Sequence, residues 1–285
     1  MKKGVSLVRN SNENRSKAGQ TTIFVILAVF IVVIIGAYYK IDLDKEFFEK
    51  NDIKSDLNQI QSLILECGEE VSKNSLETIG FQGGYYNKPE KSFNLEGIFI
   101  PYYYYEGEVV YPSKQKIEIE LAHYLDDNIG NCLKKININN FDLNFKNPRT
   151  EVFIKDKRVD FETNLLIRIS KDIHKTTFEL KDFPITIDSE LNAVLDLAEY
   201  YTESHKEDSS MYCIDCINEM AEKNDLYFDL IPITDVLSLV IISENHTAPE
   251  SYSFEFLNKY TGNEPTIDLV VEDGIEIPDA LVEGS

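Results

Sequence analysis

An unbroken apolar run at residues 21–39 constrains this chain more than any other feature of its sequence. None of its 19 residues is charged. As a helix the run would rise about 28 Å, at about 1.5 Å per residue, and the hydrocarbon core of a bilayer is about 30 Å thick. We therefore predict a transmembrane helix at residues 21–39. A cleaved secretory signal is the alternative, but the apolar core of such a signal is shorter, about 7 to 15 residues, and small residues follow it.

The charges beside this run predict its orientation. Residues 1–20 carry five basic side chains and one acid, whereas acids and lysines alternate just after residue 39. Short flanks rich in Lys and Arg stay in the cytoplasm. Residues 1–20 are therefore predicted to be a basic cytoplasmic leader, with residues 40–285 outside the cell, so that the protein is a single-pass membrane protein of the cell surface.

The formal net charge of −22 makes the exterior strongly acidic. Such a surface repels nucleic acid, so we expect no nucleic-acid partner. Acidic surfaces commonly serve solubility alone, and this interpretation is favoured over binding of divalent cations or a cationic partner.

The exterior part predicts an α+β fold, in which the transmembrane helix continues into a long amphipathic helix packed on an extracellular antiparallel-sheet ectodomain. Residues 40–148 would hold this helical spine, a tyrosine-rich hairpin and a second helix capped by Ser113. Residues 149–260 would form a β-rich lobe with inserted helices and a hairpin turn at residues 155–157. Residues 261–285, with seven acids and no base, would be a flexible acidic tail.

The spine is predicted at residues 45–79, with Gly80 as its C-cap. Apolar residues recur along it at alternating spacings of four and three, at Ile53, Leu57, Ile60, Ile64, Cys67 and Val71. Such a seam suits a helix that lies on its own sheet and equally a spine that packs against its own copies.

Four successive tyrosines, Tyr102, Tyr103, Tyr104 and Tyr105, lie in a segment that reads as a strand. Side chains alternate between the two faces of a strand, so two of them can pack inward and two must face outward. A half-buried edge hairpin is favoured, since Pro101 also suits an edge. The alternative is a surface aromatic contact with a neighbouring molecule.

An even number of cysteines outside the cytoplasm favours disulfides at Cys67, Cys132, Cys213 and Cys216. Cys67 and Cys132 lie on the apolar faces of two predicted helices, which favours a bridge between them. Cys213-x-x-Cys216 favours a structural bridge, with a redox pair or a four-cysteine zinc site as alternatives. Asn245-His246-Thr247 is an N-glycosylation sequon.

No catalytic pattern accompanies these features. The sequence lacks a phosphate loop, a nucleotide fingerprint, Gly-x-Ser-x-Gly and paired metal-binding histidines. We therefore expect no enzymatic activity, no cofactor and no bound metal.

The leader, Gly19-Gln20 and the apolar run together resemble the class III signal of archaeal type IV-pilin-like proteins. The resemblance implies that a membrane peptidase cuts after Gly19 and that the freed helix, beginning at Gln20, enters a filament core. One departure is Phe24, at the fifth mature position, where pilins usually carry an acid. Segments around Glu66-Cys67, residues 81–85, residues 100–104 and Cys132-Leu133 also resemble single-span surface proteins of Nanoarchaeota and Woesearchaeota type. That resemblance implies an assembling surface protein with no known reaction.

From these features we predict a structural protein of an archaeal envelope, a subunit of a self-assembling surface filament, tube or cell-attachment structure. Its partners would be membrane lipid, copies of itself and a host-cell or envelope protein. Self-assembly would use Ile23, Phe24, Leu27, Phe30, Ile31, Ile34, Ile53, Leu57, Ile60 and Ile64, completed by the four tyrosines. A monomeric membrane-tethered adhesin or receptor for a host surface or solute is the alternative, and a thiol-disulfide enzyme using Cys213 and Cys216 is a third hypothesis.

Overall fold

The structure, a computed structural model, describes residues 15–95, 97–138, 140–207, 213–244 and 252–261. The chain divides into two compact units, Met1–Gln59 and Ile60–Ser285. Asn245 and the tail beyond Thr261 lie outside the described residues, as do the side chains of residues 15–28, 30 and 36–52.

One helix, α1 (Arg15–Phe81), covers both the apolar run and the predicted spine. Its 67 residues contain no proline, the residue that most often interrupts a helix. Among the described residues, no helix meets the length and hydropathy that a membrane crossing requires.

Helix α1 ends in a Schellman motif formed by two glycines. The Gly84 amide donates to the Ile79 carbonyl at 2.8 Å, and the Gly83 amide donates to the Gly80 carbonyl at 3.0 Å. Gly83 has φ +50°, the left-handed conformation that this motif requires. The prediction of Gly80 as the C-cap is therefore wrong. A Cβ on Gly80 would lie 2.3 Å from the Ser253 carbonyl oxygen, so this glycine permits close packing instead.

The other helices described in the second unit are α2 (Lys114–Leu133), α3 (Leu191–Glu207) and α4 (Ile214–Lys223). The strands are β1 (Ser92–Leu95), β2 (Ile98–Tyr105), β3 (Glu108–Val109), β4 (Asp142–Phe145), β5 (Arg149–Lys155), β6 (Arg158–Asn164), β7 (Leu166–Lys171), β8 (His174–Glu179), β9 (Ile185–Asp188), β10 (Leu226–Thr234), β11 (Leu237–Glu244) and β12 (Ser253–Lys259). A 3₁₀ turn, Leu180–Asp182, lies between β8 and β9.

The strands form three sheets that are almost entirely antiparallel, which confirms the predicted α+β class. The largest sheet has the order β1-β2-β12-β11-β10, with β3 also paired to β2. Two three-stranded sheets have the orders β4-β7-β8 and β5-β6-β9. Among the described strands, the one parallel pair joins β2 to β12, with Tyr102 opposite Leu257 and Tyr105 opposite Lys259.

Local signals fix the second helix and the first hairpin of the β-rich region. The Lys116 amide donates to Ser113 Oγ at 3.2 Å, which confirms the predicted cap of α2. Strands β5 and β6 pair Lys155 with Arg158, so Asp156 and Lys157 form a two-residue turn. Lys157, the second residue of this turn, has φ +60°, in the left-handed region.

The part of the apolar seam of α1 that belongs to the second unit, from Ile60 to Val71, is buried. Ile60 and Ile64 are fully buried, and Cys67 and Val71 nearly so. Gly68 lies against Ile185 of β9, where a Cβ would approach Cδ1 to 2.5 Å. The prediction that Ile60 and Ile64 contact other copies is therefore wrong, because the chain's own core covers both side chains.

Candidate functional site

The longest run of exposed apolar side chains in the described structure is a short segment of α1, hereafter the exposed apolar segment, comprising Val29 and residues 31–35. Its side chains are between 49% and 69% exposed, and all of them are Val or Ile. Successive helical residues are separated by about 100°, so five consecutive residues occupy every side of the helix. The segment is thus an apolar cylinder rather than a one-sided amphipathic stripe.

This segment contains two of the residues predicted to mediate self-assembly, Ile31 and Ile34. Ile53 and Leu57 are half-buried. The side chains of Ile23, Phe24, Leu27 and Phe30 lie outside the described part of the chain. Gly19 and Gln20, the predicted cleavage site, lie near the beginning of α1.

Two of the four consecutive tyrosines are buried, so the prediction of a four-tyrosine surface contact is wrong. Tyr103 is 2% exposed and Tyr104 is 5% exposed. The Tyr103 ring stacks on Phe256 with centroids 4.1 Å apart, and its hydroxyl donates to the Gly83 carbonyl at 3.0 Å. Strand β2 lies between β1 and β12 instead of at a sheet edge. Strands β2 and β3 do form the predicted hairpin, with Tyr104 opposite Val109, but its predicted edge position is wrong because β2 has a partner strand on each side.

Tyr102 and Tyr105 remain half-exposed, but charged residues of the same chain already surround Tyr105. Their rings pack edge to face with centroids 5.0 Å apart. Lys91 Nζ lies 4.1 Å from the Tyr105 centroid and Lys259 Nζ lies 5.1 Å from it. Lys259 also pairs with Glu106 at 2.7 Å, and this hydrogen bond raises the pKa of the lysine. The outward-facing tyrosine surface is therefore small, and residues of the same chain already contact most of it.

All four cysteines form disulfides, Cys67–Cys132 and Cys213–Cys216. The first joins α1 to α2, as predicted. The second lies at the exposed beginning of α4, where Cys213 Sγ accepts a hydrogen bond from the Cys216 amide at 3.2 Å. With no free thiol in the chain, none of these sulfurs is available to bind zinc in this state.

A polar cleft of about 480 Å³ between α2 and the β5–β6 hairpin brings together several titratable residues that sequence reasoning missed. Its lining includes His123, Asp126, Arg149, Glu151, Glu162 and Lys181. Because charged residues alternating with apolar ones on strands normally form a solvated face, no sequence signal distinguishes this cleft.

The hydrogen bonds in this cleft do not form a hydroxyl–histidine–carboxylate triad. Thr150 Oγ1 donates directly to Asp126 Oδ1 at 2.7 Å and lies 3.1 Å from Thr163 Oγ1. Burial raises the pKa of Asp126, although the Thr150 hydrogen bonds oppose this. A catalytic triad needs the base between the hydroxyl and the acid, and here His123 does not hold that position.

Two buried carboxylates connect segments of the second unit. Glu120 of α2, with a side chain 1% exposed, accepts hydrogen bonds from the Tyr86 amide at 2.9 Å and the Asn87 amide at 2.8 Å, and pairs with Lys116. Glu244 of β11 accepts from Ser189 Oγ at 2.9 Å and the Glu190 amide at 2.7 Å, just before α3. Buried acids with their oxygens satisfied in this way hold loops in place.

The stability of the folded chain is expected to depend on the ionisation of Glu120. Burial raises its pKa, but the hydrogen bonds from Lys116 and the two amides outweigh burial and lower the pKa below 4.5. A lowered folded-state pKa contributes stability above the unfolded pKa, and this stability is lost as pH falls through the folded value. We expect Glu120→Gln to destabilise the protein by about 1.5 to 3 kcal/mol at pH 7 and to flatten its loss of stability below pH 5. Denaturant titrations from pH 7 to pH 3 measure both effects, and Glu69→Gln on an exposed face should follow the wild-type curve.

Comparisons with protein-family models, with curated proteins and with solved structures found no match. Within the described residues, no group of three or more His, Cys, Asp or Glu side chains is placed to hold a metal ion. The features available to assign a function are therefore the exposed apolar segment, the two disulfides and the surfaces of the second unit.

Proposed function

We propose that this chain is a membrane-anchored, extracellular structural protein of an archaeal envelope and a subunit of a self-assembling surface filament, tube or attachment structure. The observation that carries the proposal is the exposed apolar segment, which surrounds α1 on every side with Val and Ile side chains. Full burial of each such side chain is favourable by about 1.5 to 3 kcal/mol, so six of them left in water would be costly.

Such a cylinder is stable in only two environments. A helix that is apolar all round is found either among lipid acyl chains or in the centre of a helix assembly. The uncharged run at residues 21–39 extends the same character over a bilayer's thickness, and the basic leader favours a cytoplasmic beginning for this run.

The two disulfides support an exterior location for the second unit. Disulfides persist in oxidising compartments and are rare in the cytosol of most organisms. The unit that carries them follows the apolar run in sequence, on the side that the positive-inside rule assigns to the exterior.

The resemblance of the leader to class III signals supports the proposed assembly. In proteins with such signals, the apolar helix moves from the membrane into a filament core. The exposed apolar segment suits both states, because the move exchanges one apolar environment for another and exposes no polar group. The burial of Tyr103 and Tyr104 weakens the tyrosine contacts for assembly and for a tethered adhesin alike, so assembly through α1 depends on the exposed apolar segment.

A pair of substitutions tests the anchor. In the double variant Ile31→Lys/Ile34→Lys, each lysine costs about 2.5 to 3.5 kcal/mol near a bilayer centre. We expect this variant to leave the membrane fraction, while the wild type stays there after alkaline carbonate extraction. Ile173→Lys, at an isoleucine 88% exposed in the β7–β8 turn, is the matched control and should fractionate like the wild type.

A cysteine scan tests assembly separately. Because all native cysteines are in disulfides, Ile34→Cys and Ile173→Cys each introduce a single free thiol. We expect a short bis-maleimide to join Ile34→Cys chains into dimers in membranes or filaments, and to leave Ile173→Cys chains monomeric. A strictly monomeric Ile34→Cys protein would contradict assembly through α1, and a wild type released by carbonate would contradict the anchor.

A further inference from the structure

A groove of about 480 Å³ on the second unit lies between α1 and residues 182–186, which lead into β9. Much of its lining is apolar, since Leu65 is half-buried, Ile185 is buried and Phe183 is 45% exposed. Phe183 stacks on Phe178 with centroids 5.0 Å apart, so one face of its ring is covered within the chain while the exposed part lines the groove.

Two acids share this lining with the apolar side chains. Glu69 comes from α1 and Asp182 from the 3₁₀ turn. Glu69 pairs with Lys73 of its own helix at 2.7 Å, whereas no described side chain forms an ion pair with Asp182. The groove therefore suits an apolar side chain that has a cation next to it.

The β7–β8 turn has this complementary character. Ile173 in this turn is 88% exposed, more than any other large apolar side chain that the structure describes. Residues 171–175 read Lys-Asp-Ile-His-Lys, so two lysines outnumber the one acid. Lys175 is exposed, and within the described residues no acid forms an ion pair with it.

We propose that the β7–β8 turn of one copy inserts Ile173 into this groove of the next copy, with Lys175 beside Asp182. The inference deepens the proposed assembly and rests on it. Because the turn and the groove are different surfaces, the contact is heterologous, and contacts of this kind repeat into rings or open filaments.

The turn cannot fill the groove of its own chain. Strand β8, His174–Glu179, separates the turn from the 3₁₀ turn at the groove. Its six residues span about 20 Å, at about 3.3 Å per residue, which is much further than an isoleucine side chain extends. The groove must therefore receive this turn from another chain.

Charge favours a second copy as that chain. Copies with a net charge of −22 repel one another, so they meet most favourably where a basic segment faces acids. The basic β5–β6 hairpin is less suited, because Lys155 pairs with Asp160 and Lys157 with Glu190 in the same chain. The contact is small, and anchoring the copies in one membrane would raise their effective concentration enough for it to form.

Cross-linking between two variants of the full-length protein tests the contact. Chains with Ile173→Cys and chains with Pro184→Cys, which keeps Phe183 and both acids, are co-expressed and treated in membranes with a short bis-maleimide. We expect mixed dimers, while each variant alone stays monomeric, because successive turns lie a full repeat apart. The matched control pairs Ile173→Cys with Ile98→Cys, at an isoleucine 55% exposed on β2, and should give no dimer.

The outcomes separate this contact from the proposed assembly. If Ile34→Cys chains cross-link but the mixture of Ile173→Cys and Pro184→Cys does not, the turn–groove contact is overturned and assembly through α1 stands. If neither cross-links, both proposals fail. In the double variant Ile173→Cys/Pro184→Cys we expect trimers and larger products, and products that stop at dimers would overturn the head-to-tail arrangement.

A charge exchange tests the complementarity. Lys175→Glu in the Ile173→Cys chain, or Asp182→Lys in the Pro184→Cys chain, should each lower the yield of mixed dimer at least threefold, and the two together should restore it. Lys135→Glu, at an exposed lysine after α2, changes the net charge equally and should leave the yield unchanged. Equal losses with Lys175→Glu and Lys135→Glu, or no restoration in the combined pair, would overturn the proposed pairing.

Discussion

Removing the disulfide between α1 and α2, in the double variant Cys67→Ala/Cys132→Ala, should lower the free energy of unfolding by about 4 kcal/mol. The bridge closes a loop with a sequence separation of 65 residues. Cross-linking a loop of that length removes conformational entropy from the unfolded chain, by about 4 kcal/mol at 25 °C in the chain-entropy model. Guanidinium titrations of the full-length protein in detergent, followed by tyrosine near-ultraviolet circular dichroism, measure the difference.

The other disulfide is a control within the same molecule. Cys213 and Cys216 are separated by only 3 residues. The same calculation gives about 1.5 to 2 kcal/mol for such a short loop. Cys213→Ala/Cys216→Ala should therefore cost less than half as much as the first double variant, although both remove one sulfur–sulfur bond.

Equal losses in the two double variants would contradict this ranking and would indicate that packing around the sulfurs outweighs loop entropy. Cys67 is buried on α1, so part of any excess loss in the first variant would come from a cavity.

Short-range signals predicted much of the fold correctly. The seam from Ile53 to Val71 repeats with helical spacing, and its residues from Ile60 onward are buried. The cap at Ser113 and the turn at Asp156-Lys157 each depend on residues within four positions of one another, so a local pattern contains all the necessary information. The Cys67–Cys132 bridge followed from two such helical faces, because each cysteine occupies an apolar position on its own helix.

Long-range pairing was the part that the sequence could not predict. Strand β2 gains its second neighbour from β12, more than 150 residues later, and no local pattern specifies that parallel contact. The register shifts between Leu257 and Asn258, where the buried Asn258 Oδ1 accepts from the Tyr104 amide at 3.1 Å. Alternation alone left the exposure of the tyrosines open, because burial depends on what lies on each side of the strand.

The polar cleft was missed for a related reason. Arg149 and Asn164 face one another across the β5–β6 hairpin, but the sequence does not show that α2 brings Asp126 to the same place. Which residues line the cleft depends on how α2 packs on the β5–β6 hairpin. Neither the spacing of the residues nor their charge pattern distinguishes it from an ordinary solvated surface.

The second large effect on stability is expected at Tyr103, because its ring is buried. We expect Tyr103→Ala to destabilise the protein by about 3 to 5 kcal/mol, the usual cost of truncating a buried aromatic side chain. The ring contacts Phe256 by stacking and Phe254 edge to face, at a centroid distance of 6.1 Å. Both contacts join β2 to β12, so the cavity would open across this parallel pair of strands.

Two further variants separate the ring from its hydroxyl and from its position in the strand. Tyr103→Phe keeps the ring and removes the hydrogen bond to the Gly83 carbonyl, so it should cost about 1 kcal/mol. Tyr102→Ala, at a half-exposed position, should cost clearly less than Tyr103→Ala, because water can fill the space that the ring leaves. Tyr103→Ala could instead keep wild-type stability in denaturant titrations while impairing contacts between copies. In that case the ring would belong to an assembly surface and not to the core.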